Sequence, residues 1–492
     1  MKYYIGADLG TSSCKMLLTD GEGNILRSVT EAYDVSYPHP GWSEQDPRDW
    51  WTAFCNGVKK LTEDVDASLV RGLSVAGQMH GLVVLDGEDE VIRPVILWND
   101  GRTFRENEYL NGVIGKETLA SLTANISFAG FTAPKLLWMK EHEPENFAKI
   151  KKIMLPKDYI NYRLTGVHAC DYSDASGLLL LDVKNRRWSS QMLEICGVRE
   201  EQMPRLFESY ASIGTLLPSV AESLGLPADA VVAAGAGDNA GAAIGTGTVG
   251  EGKCNISLGT SGTVFISSHT FRPSENNTLH SFCHADGGWH LMGCILSAAS
   301  CNGWFCDKVL NRSDYADLQR EIPDGLLGNN HVYFLPYLMG ERCPANDTDA
   351  SGVFLGLRPS DGRNEMLLAV LEGVCFALRD CVDLARASGI SIPCSTVSGG
   401  GVRSSLWMRI LANVLNMEIC IPKTEEGPSL GAAILARAAD EGTLPKTATP
   451  ALREVVSPDA RLAALYEERY QFYKKIYPGM KELFHGMKGT EE

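Results

Sequence analysis

The chain has 492 residues, of which 44% are hydrophobic and 22% charged, as is ordinary for a globular protein of two to four domains. Its 45 Lys and Arg against 61 Asp and Glu give a net charge of −16, which argues against binding to nucleic acid or to an anionic membrane surface. The N-terminus has no apolar signal core, and the smoothest apolar stretch, residues 230–250, contains Asp238, so neither secretion nor a membrane span is expected. The 14 cysteines form no Cys-x-x-Cys pair, which predicts free thiols in a reducing cytoplasm and no zinc site.

The first half of the chain alternates predicted strands and helices, which indicates an α/β fold. Strands are predicted at 3–8, 15–19, 25–30, 70–76, 91–98, 151–155 and 231–236, and helices at 50–63 and from 156 to 164. Several of these strands end in polar clusters, such as Gln78-Met79-His80 and Gly237-Asp238-Asn239. Strand ends of this kind are where α/β sheets place their ligands.

The second half follows a boundary that we predict near residues 245–252. A hairpin around residues 259–262 is followed by a helix at 365–388 with Gly389 as its stop, a strand at 395–398, and a helix from about 404 to 416. Near the end, Tyr466, Tyr470, Tyr473 and Tyr477 lie at helical spacing, which indicates packing and not a binding site.

Two copies of one hairpin are the most informative feature of the sequence. IGADLGTSSCK at 5–15 and NISLGTSGTVF at 255–265 each place Gly-Thr-Ser between two apolar strands. The tip of such a hairpin presents backbone N–H and hydroxyl donors, which suits a phosphate group. The first copy has Asp8 where the second has Ser257. This pattern predicts a two-lobed nucleotide enzyme with its metal on one side.

Two carboxylates are candidates for the chemistry. Asp238 follows small apolar residues, so it is either the N-cap of an Ala-rich helix or a general base at the open end of a buried strand. Asp8 either fixes a turn or lies near a magnesium-nucleotide, directly or through a metal-bound water. The Gly-rich segments 399–401 and 427–431 are either bare turns or the walls of an adenine and ribose slot.

The chain resembles the FGGY carbohydrate kinases of the actin-like ATPase superfamily over nearly its whole length, and most closely their xylulokinase branch. The resemblance rests on a set of motifs in the family's order: GADLGTSSCK (6–15), YPHPGWSEQDP (37–47), GQMHG (77–81), ILWNDGR (96–102), FTAPKLLW (131–138), LPKDY (155–159), SDASG (173–177), GAGDNAG (235–241), SLGTSG (257–262), SFCHA (281–285), FLPYLMGERCP (334–344) and SGGGVRS (398–404). GQMHG together with PHPGWSEQDP points to the xylulokinase branch.

The resemblance implies two ribonuclease H-like domains with a cleft between them. Residues 1–248 would form the sugar-binding domain and residues 249–492 the nucleotide-binding domain. Asp238 matches the catalytic base, Asp8 the acid near magnesium, and Met79 and His80 the sugar-contacting pair. The residues that match ATP-contacting positions are Thr11, Ser12, Thr260, Gly262, Gly400, Gly401 and Ser404. The individual roles of Trp98, Asn99 and Arg102 are left open.

The resulting hypothesis is the transfer of phosphate from Mg-ATP to D-xylulose, which yields D-xylulose 5-phosphate in the cytoplasm. One alternative is a kinase of the same family that acts on another ketose or polyol. Another is an actin-like ATPase switch, which has no need of sugar-facing clusters such as GQMHG. A sugar-binding regulator would require a DNA-binding segment, and none is visible. Whether the protein forms a homodimer is also left open. For His80, the alternative to contact with the sugar is a purely structural role.

Overall fold

The computed structural model describes residues 1–423, 426–444 and 451–488. The first of its two large sheets has seven strands. In spatial order, six of them are Ser212–Thr215, Val231–Ala233, Val70–Gly77, Tyr3–Leu9, Ser13–Asp20 and Ile25–Ala32, and the seventh, Ala236–Gly237, also pairs with Val70–Gly77. Tyr3–Leu9 forms an antiparallel hairpin with Ser13–Asp20 and a parallel pair with Val70–Gly77.

The second large sheet repeats this arrangement. Its strands, in spatial order, are His280–Cys283, Trp289–Ile295, Gly262–Ser268, Cys254–Leu258, Cys394–Ser398, Glu418–Pro422 and Leu452–Val456. Cys254–Leu258 is again the central strand, antiparallel to the strand that follows it and parallel to Cys394–Ser398. The same topology in both halves is that of two ribonuclease H-like domains, and it places the two Gly-Thr-Ser tips at equivalent sheet edges.

Short strand pairs and helices complete both halves. The pairs are Glu44–Gln45 with Val95–Ile96, Val83–Leu85 with Lys152–Met154, Ala169–Asp171 with Arg205–Phe207, Leu181–Asp182 with Arg187–Trp188, and Tyr333–Leu335 with Val353–Leu355. The α-helices of the first half are Pro47–Thr62, Phe104–Glu108, Lys116–Thr123, Thr132–His142, Pro144–Lys149, Pro156–Thr165, Tyr172–Ala175, Ser190–Cys196, Pro218–Leu224 and Asp238–Gly245. Those of the second half are Ala299–Trp304, Tyr315–Arg320, Arg363–Ala387, Ser405–Leu415, Pro428–Glu441, Ala460–Tyr473 and Ile476–Lys488. No helix in the described part of the chain is both long and apolar enough to cross a bilayer.

Two predicted strands differ from the observed ones. The strand predicted at 231–236 is interrupted after Ala233, because Gly235 has a φ of +76° and lies against Val75, whose carbonyl oxygen would be 2.0 Å from an added Cβ. The strand predicted at 91–98 is reduced to Val95–Ile96. The interruption lets the chain re-enter the sheet at Ala236–Gly237 and deliver Asp238 to the sheet edge.

The tyrosine stripe packs as predicted, although it spans two helices. Tyr466, Tyr470 and Tyr473 lie on Ala460–Tyr473, with ring centroids 5.0–6.3 Å from that of Phe376, whereas Tyr477 belongs to the next helix. All 14 cysteines are free thiols.

Helix Pro428–Glu441 joins the halves, because it packs on the first sheet although in sequence it lies between two strands of the second sheet, Glu418–Pro422 and Leu452–Val456. Gly6 lies so close to this helix that an added Cβ would be 2.1 Å from the Ser429 carbonyl oxygen. Gly431 in turn packs against Gly241, in the helix that begins at Asp238. These glycines let the backbones meet directly, so the Asp238 helix is clamped where the two lobes join.

Candidate active site

Three strand ends of the first sheet meet at one edge. Asp8 lies opposite Ala76 in the parallel register, Leu9 lies opposite Gly77, and Gly77 lies opposite Gly237. The carboxyl ends of parallel strands share an edge, so Asp8 and Asp238 face the same space, and the charge of Asp238 contributes to raising the pKa of Asp8.

One carboxylate oxygen of Asp238 accepts hydrogen bonds, and the other is free. Oδ1 accepts hydrogen bonds from the Asn239 backbone N (2.7 Å) and from Asn239 Nδ2 (2.8 Å), whereas Oδ2 accepts none from any described residue. Burial raises the pKa of Asp238 to about 6, against the lowering effect of the Asn239 hydrogen bonds. Helix Asp238–Gly245 begins at Asp238 itself and has Gly237 as its N-cap, so Asp238 is not the cap that the alternative interpretation required. The free oxygen is suited to accept a proton.

Asp8 forms no ion pair of its own, although the charge of Lys15 partly offsets the rise in its pKa that burial causes. Its carboxylate makes no hydrogen bond or ion pair within the described residues, and Lys15 nearby pairs instead with Glu426 (2.6 Å). Burial, followed by the charge of Asp238, raises the pKa of Asp8 to about 7. Asp8 and Asp238 face one space, and within the described residues no cation forms an ion pair with either, so the residues present fit a hard divalent ion such as Mg²⁺.

The first hairpin tip is held by groups that the sequence analysis did not assign. Trp98 Nε1 donates to Thr11 Oγ1 (3.0 Å), Thr11 Oγ1 donates to Gln78 Oε1 (3.3 Å), and Gln45 Nε2 donates to the Thr11 carbonyl oxygen (2.7 Å). Ser12 stays exposed at the tip. Trp98, whose role was open, therefore orients the tip on which a phosphate is predicted to bind.

The second tip is anchored through its backbone. The Thr260 carbonyl oxygen accepts from the Ala298 N (2.9 Å) and from Ser300 Oγ (2.7 Å), which leaves the Thr260 side chain exposed. Gly262 begins the next strand, where an added Cβ would be 2.7 Å from an Ile295 side-chain carbon, so glycine is required there for packing. The phosphate contacts of Thr260 and Gly262 stay predictions.

A cavity of about 370 Å³ extends from Asp238 into the second lobe. Its lining residues are Asp238, Asn239, Ala242, Ala243, Thr246, Asn255, Ser257, Thr263, Phe265, Val397, Ser398, Gly399, Val402, Ile421, Pro422, Lys423, Gly427, Pro428 and Arg453. Both predicted Gly-rich segments thus contribute to one cavity, and Asp238 lies in its wall.

The three residues predicted on the adenosine side lie just beyond this lining. Gly400 faces open space, whereas Gly401 packs so closely that an added Cβ would be 2.8 Å from Leu258 Cβ. Ser404 Oγ accepts from the Trp407 N (3.0 Å) and donates to Gln319 Oε1 (2.5 Å), so Ser404 caps helix Ser405–Leu415. Its contact with adenosine stays a prediction. Gly399, which lines the cavity with a φ of +88°, belongs to the predicted Gly-rich segment 399–401 but was not among the individually matched ATP-contacting residues.

His80 is fixed in one tautomer. Its Nδ1 lies 2.7 Å from the Gly177 carbonyl oxygen, which can only accept, so Nδ1 carries the proton. Burial, followed by the charge of Lys135, lowers the pKa of His80 to about 3, so the ring is neutral and Nε2 is a hydrogen-bond acceptor. The ring stacks on Phe131 with centroids 4.7 Å apart, and Lys135 Nζ donates to the His80 carbonyl oxygen (2.7 Å). Met79, only 5% exposed, packs beside Gly177 and Gly237, and its sugar contact stays a prediction.

A buried charge network lies directly behind Asp238. Lys157 Nζ lies 2.5 Å from Asp158 Oδ1, 2.9 Å from Asp171 Oδ1 and 3.5 Å from Asp174 Oδ2, and these four side chains are at most 1% exposed. Asp171 Oδ2 accepts from Ser173 Oγ (2.5 Å), and Ser173 Oγ accepts from the Gly237 N (3.2 Å). The network therefore supports the backbone that carries the candidate base.

Arg102 and Asn99 lie apart from these carboxylates. The Arg102 guanidinium stacks 3.6 Å from the centroid of the Trp42 ring and donates to both oxygens of Asp100 (2.8 and 2.7 Å). Asn99 lines a separate surface cavity with residues 37–43. Arg102 also forms an ion pair with Glu44 (2.7 Å), so the structure gives it a buried ion-pairing and stacking role.

The duplicated fold, with a carboxylate in the wall of a Gly-lined cavity, is typical of a two-lobed phosphotransferase. Residues 3–245 match the N-terminal domain of the FGGY family of carbohydrate kinases, and residues 254–439 match its C-terminal domain. The chain belongs to this family and is a sugar kinase.

Three relatives show how similar this chain is to known members of the family. A xylulose kinase of Escherichia coli (strain K12) is 43% identical over 479 residues, which are 96% of this chain and 98% of that protein. The crystal structure of a xyloylose kinase from Brucella ovis superposes with a TM-score of 0.94 at 41% identity, over 98% of this chain and all of the other. That of a gluconate kinase from Lactobacillus acidophilus superposes with a TM-score of 0.93 at 26% identity, over 99% of both chains.

Proposed function

We propose that the protein transfers the terminal phosphate of Mg-ATP to the terminal hydroxyl of D-xylulose. The observation that carries this proposal is the free Oδ2 of Asp238 in the wall of the cavity that both Gly-rich segments line. The relatives named xylulose kinase support the choice of sugar, since they match the chain over nearly its whole length.

Asp238 acts as the general base in this mechanism. With a pKa of about 6 it is largely ionised at neutral pH, and Oδ2 takes the proton as the sugar oxygen attacks the phosphoryl group. Asn239 holds the other oxygen, so the carboxylate has one orientation.

Asp8 would hold the magnesium ion, directly or through water, next to the transferring group. When bound, the ion supplies charge neutralisation on the phosphates. The two hairpin tips donate to phosphate oxygens from opposite sides, Thr11 through its backbone N–H because its hydroxyl donates to Gln78, and Ser12 and Thr260 through their exposed hydroxyls.

His80 binds the sugar on the first lobe. Its Nε2 accepts a hydrogen bond from a sugar hydroxyl, because Nδ1 is occupied by the Gly177 carbonyl oxygen. The sugar, bound by residues 1–248, and the nucleotide, bound by residues 249–492, would then both contact the space next to Asp238.

A panel of D-xylulose, other pentuloses, hexuloses, polyols and gluconate, assayed with Mg-ATP by coupled ADP release, tests the substrate. D-Xylulose is expected to have the highest kcat/KM, and a higher value for a polyol or for gluconate would overturn the assignment in favour of another activity of the family. The Asp238→Asn variant tests the base, with an expected loss in kcat of about a hundred- to ten-thousand-fold. Asp229→Asn is the matched control, because Asp229 is exposed and pairs with Arg71 on the surface.

A further inference from the structure

Arg342 extends from the second lobe towards the sugar side of the first. Its guanidinium carbon lies 5.7 Å from the centroid of the Phe128 ring, and its Nη2 would be 3.9 Å from a Cβ added at Gly130. Gly130 belongs to the His80 surroundings, because Lys135 Nζ donates to the carbonyl oxygens of both Gly130 (2.8 Å) and His80 (2.7 Å). The positive charge of Arg342 also contributes to lowering the pKa of His80.

The Arg342 backbone is held firmly, whereas its side chain forms no ion pair with a described residue, although its charge partly offsets the rise in the pKa of Glu341 that burial causes. Glu341, which is 2% exposed, accepts through Oε1 from the Arg342 N (2.7 Å) and the Leu296 N (3.1 Å). The Arg342 carbonyl oxygen accepts from the Asn346 N (2.8 Å). Across the described residues, no carboxylate forms an ion pair with the Arg342 guanidinium. A hydrogen bond from the Arg342 side chain partly offsets the rise in the pKa of Cys294 that burial causes, but a guanidinium has five N–H donors, so this half-buried one keeps donors available for a ligand.

We propose that Arg342 and His80 together recognise the hydroxyketone end of the sugar, an inference that rests on the proposed function. A guanidinium only donates hydrogen bonds, and Nε2 of His80 only accepts in its observed tautomer. A ketose offers a carbonyl oxygen, which only accepts, next to a hydroxyl, which can donate. Arg342 therefore donates to the carbonyl oxygen while His80 accepts from the neighbouring hydroxyl.

This arrangement makes Arg342 a determinant of specificity for ketoses over polyols. A polyol has a tetrahedral carbinol in place of the planar carbonyl, and its hydroxyl fits the planar guanidinium fork less well. Because Arg342 and His80 belong to different lobes, the bound ketose also bridges the cleft.

The test compares Arg342→Gln and Arg342→Lys with the wild type on D-xylulose and on xylitol, which differs from it by reduction of the carbonyl. For each enzyme, kcat/KM is measured for both sugars, with the inhibition constant of xylitol as the readout where its turnover is too slow. Loss of a hydrogen bond from a charged donor is expected to lower kcat/KM for D-xylulose about ten- to hundredfold. The value for xylitol should change less than threefold, and the KM for ATP should stay within about twofold.

Arg358→Gln is the matched control, because Arg358 is an exposed arginine of the same lobe. Circular dichroism and thermal melting establish that each variant folds, and Arg342→Lys keeps the charge should Arg342→Gln fail to fold. An equal fall in kcat/KM for D-xylulose and xylitol, or a rise in the KM for ATP alone, would overturn the assignment of Arg342. Failure of the wild type to phosphorylate any ketose would instead overturn the proposed function, so the two failures are distinguishable.

Discussion

Replacing Lys157 by Met should destabilise the first lobe strongly. The substitution keeps the length of the side chain and removes the one cation that faces Asp158, Asp171 and Asp174 at 2.5–3.5 Å. Removal of one partner from a buried ion pair costs roughly 3–5 kcal/mol, because the remaining charge is left uncompensated. For a domain of this size that corresponds to a fall of about 10 °C in the melting temperature.

The Lys157→Met substitution should also displace the backbone next to Asp238. Lys157 fixes Asp171, which holds Ser173, and Ser173 accepts from the Gly237 N next to Asp238. We therefore expect a lower kcat in Lys157→Met with little change in the KM for ATP. Differential scanning calorimetry measures the stability, and steady-state assays below the melting transition measure the kinetic effect.

Asp174→Asn is the matched comparison. Burial raises the pKa of Asp174 well above its ordinary value, Asp174 has the longest of the three contacts with Lys157 Nζ (3.5 Å), and neither of its oxygens has a hydrogen-bond partner among the described residues. Asparagine has nearly the same shape as aspartate and leaves Lys157 paired with Asp158 and Asp171, so this variant should melt within a few degrees of the wild type. If Lys157→Met melted within about 2 °C of the wild type, or Asp174→Asn fell as far as Lys157→Met, this account of the network would be refuted.

Three further predictions follow from the site. The pKa of about 6 for Asp238 predicts that kcat rises with pH and levels off above about 7, and a flat profile from pH 5 to 8 would contradict the base assignment. The pKa of Asp8 is raised from 3.8 to about 7, so the contribution of Asp8 to folding stability is complete below pH 3.8 and is lost as the pH rises through 7. Mg²⁺ should therefore raise the melting temperature more at pH 8 than at pH 5. The Asp8→Asn variant should show no such difference between the two pH values. Gly399→Ala, which places a Cβ 2.7 Å from the Leu258 carbonyl, should raise the KM for ATP, whereas Gly442→Ala, at a similar φ of +75° in open space, should not.

The sheets were predictable because their strands are continuous apolar runs. The predicted strands at 3–8, 70–76 and 395–398 each lie within one residue of the observed ends, since a strand in a buried sheet has little polar sequence in which to begin or end. The break at Ala234–Gly235 was not predictable, because only contact with Val75 from a neighbouring strand requires it.

The candidate site was predictable only in part, for the same reason. Asp8 and Asp238 follow buried strands, and the sequence itself places such residues at a sheet edge. Lys157 and Arg342 carry no comparable signal. From the sequence alone Lys157 would be expected to be exposed to solvent, because Asp171 and Asp174 are brought next to it only by the fold. The position of Arg342 depends on how the second lobe packs against the first.

The duplicated fold explains why the chemistry occurs only once. Both lobes end their central strand at a Gly-Thr-Ser tip, but the first has Asp8 and the second Ser257, which lines the cavity. A carboxylate at position 257 would add a negative charge to the cavity in whose wall Asp238 lies, where we propose that the phosphates bind. Serine keeps a donor on the nucleotide side without that repulsion. We propose that this asymmetry separates a lobe whose carboxylates would hold the metal and act as the base from a lobe whose cavity, with Lys423 and Arg453 in its lining, would bind the nucleotide.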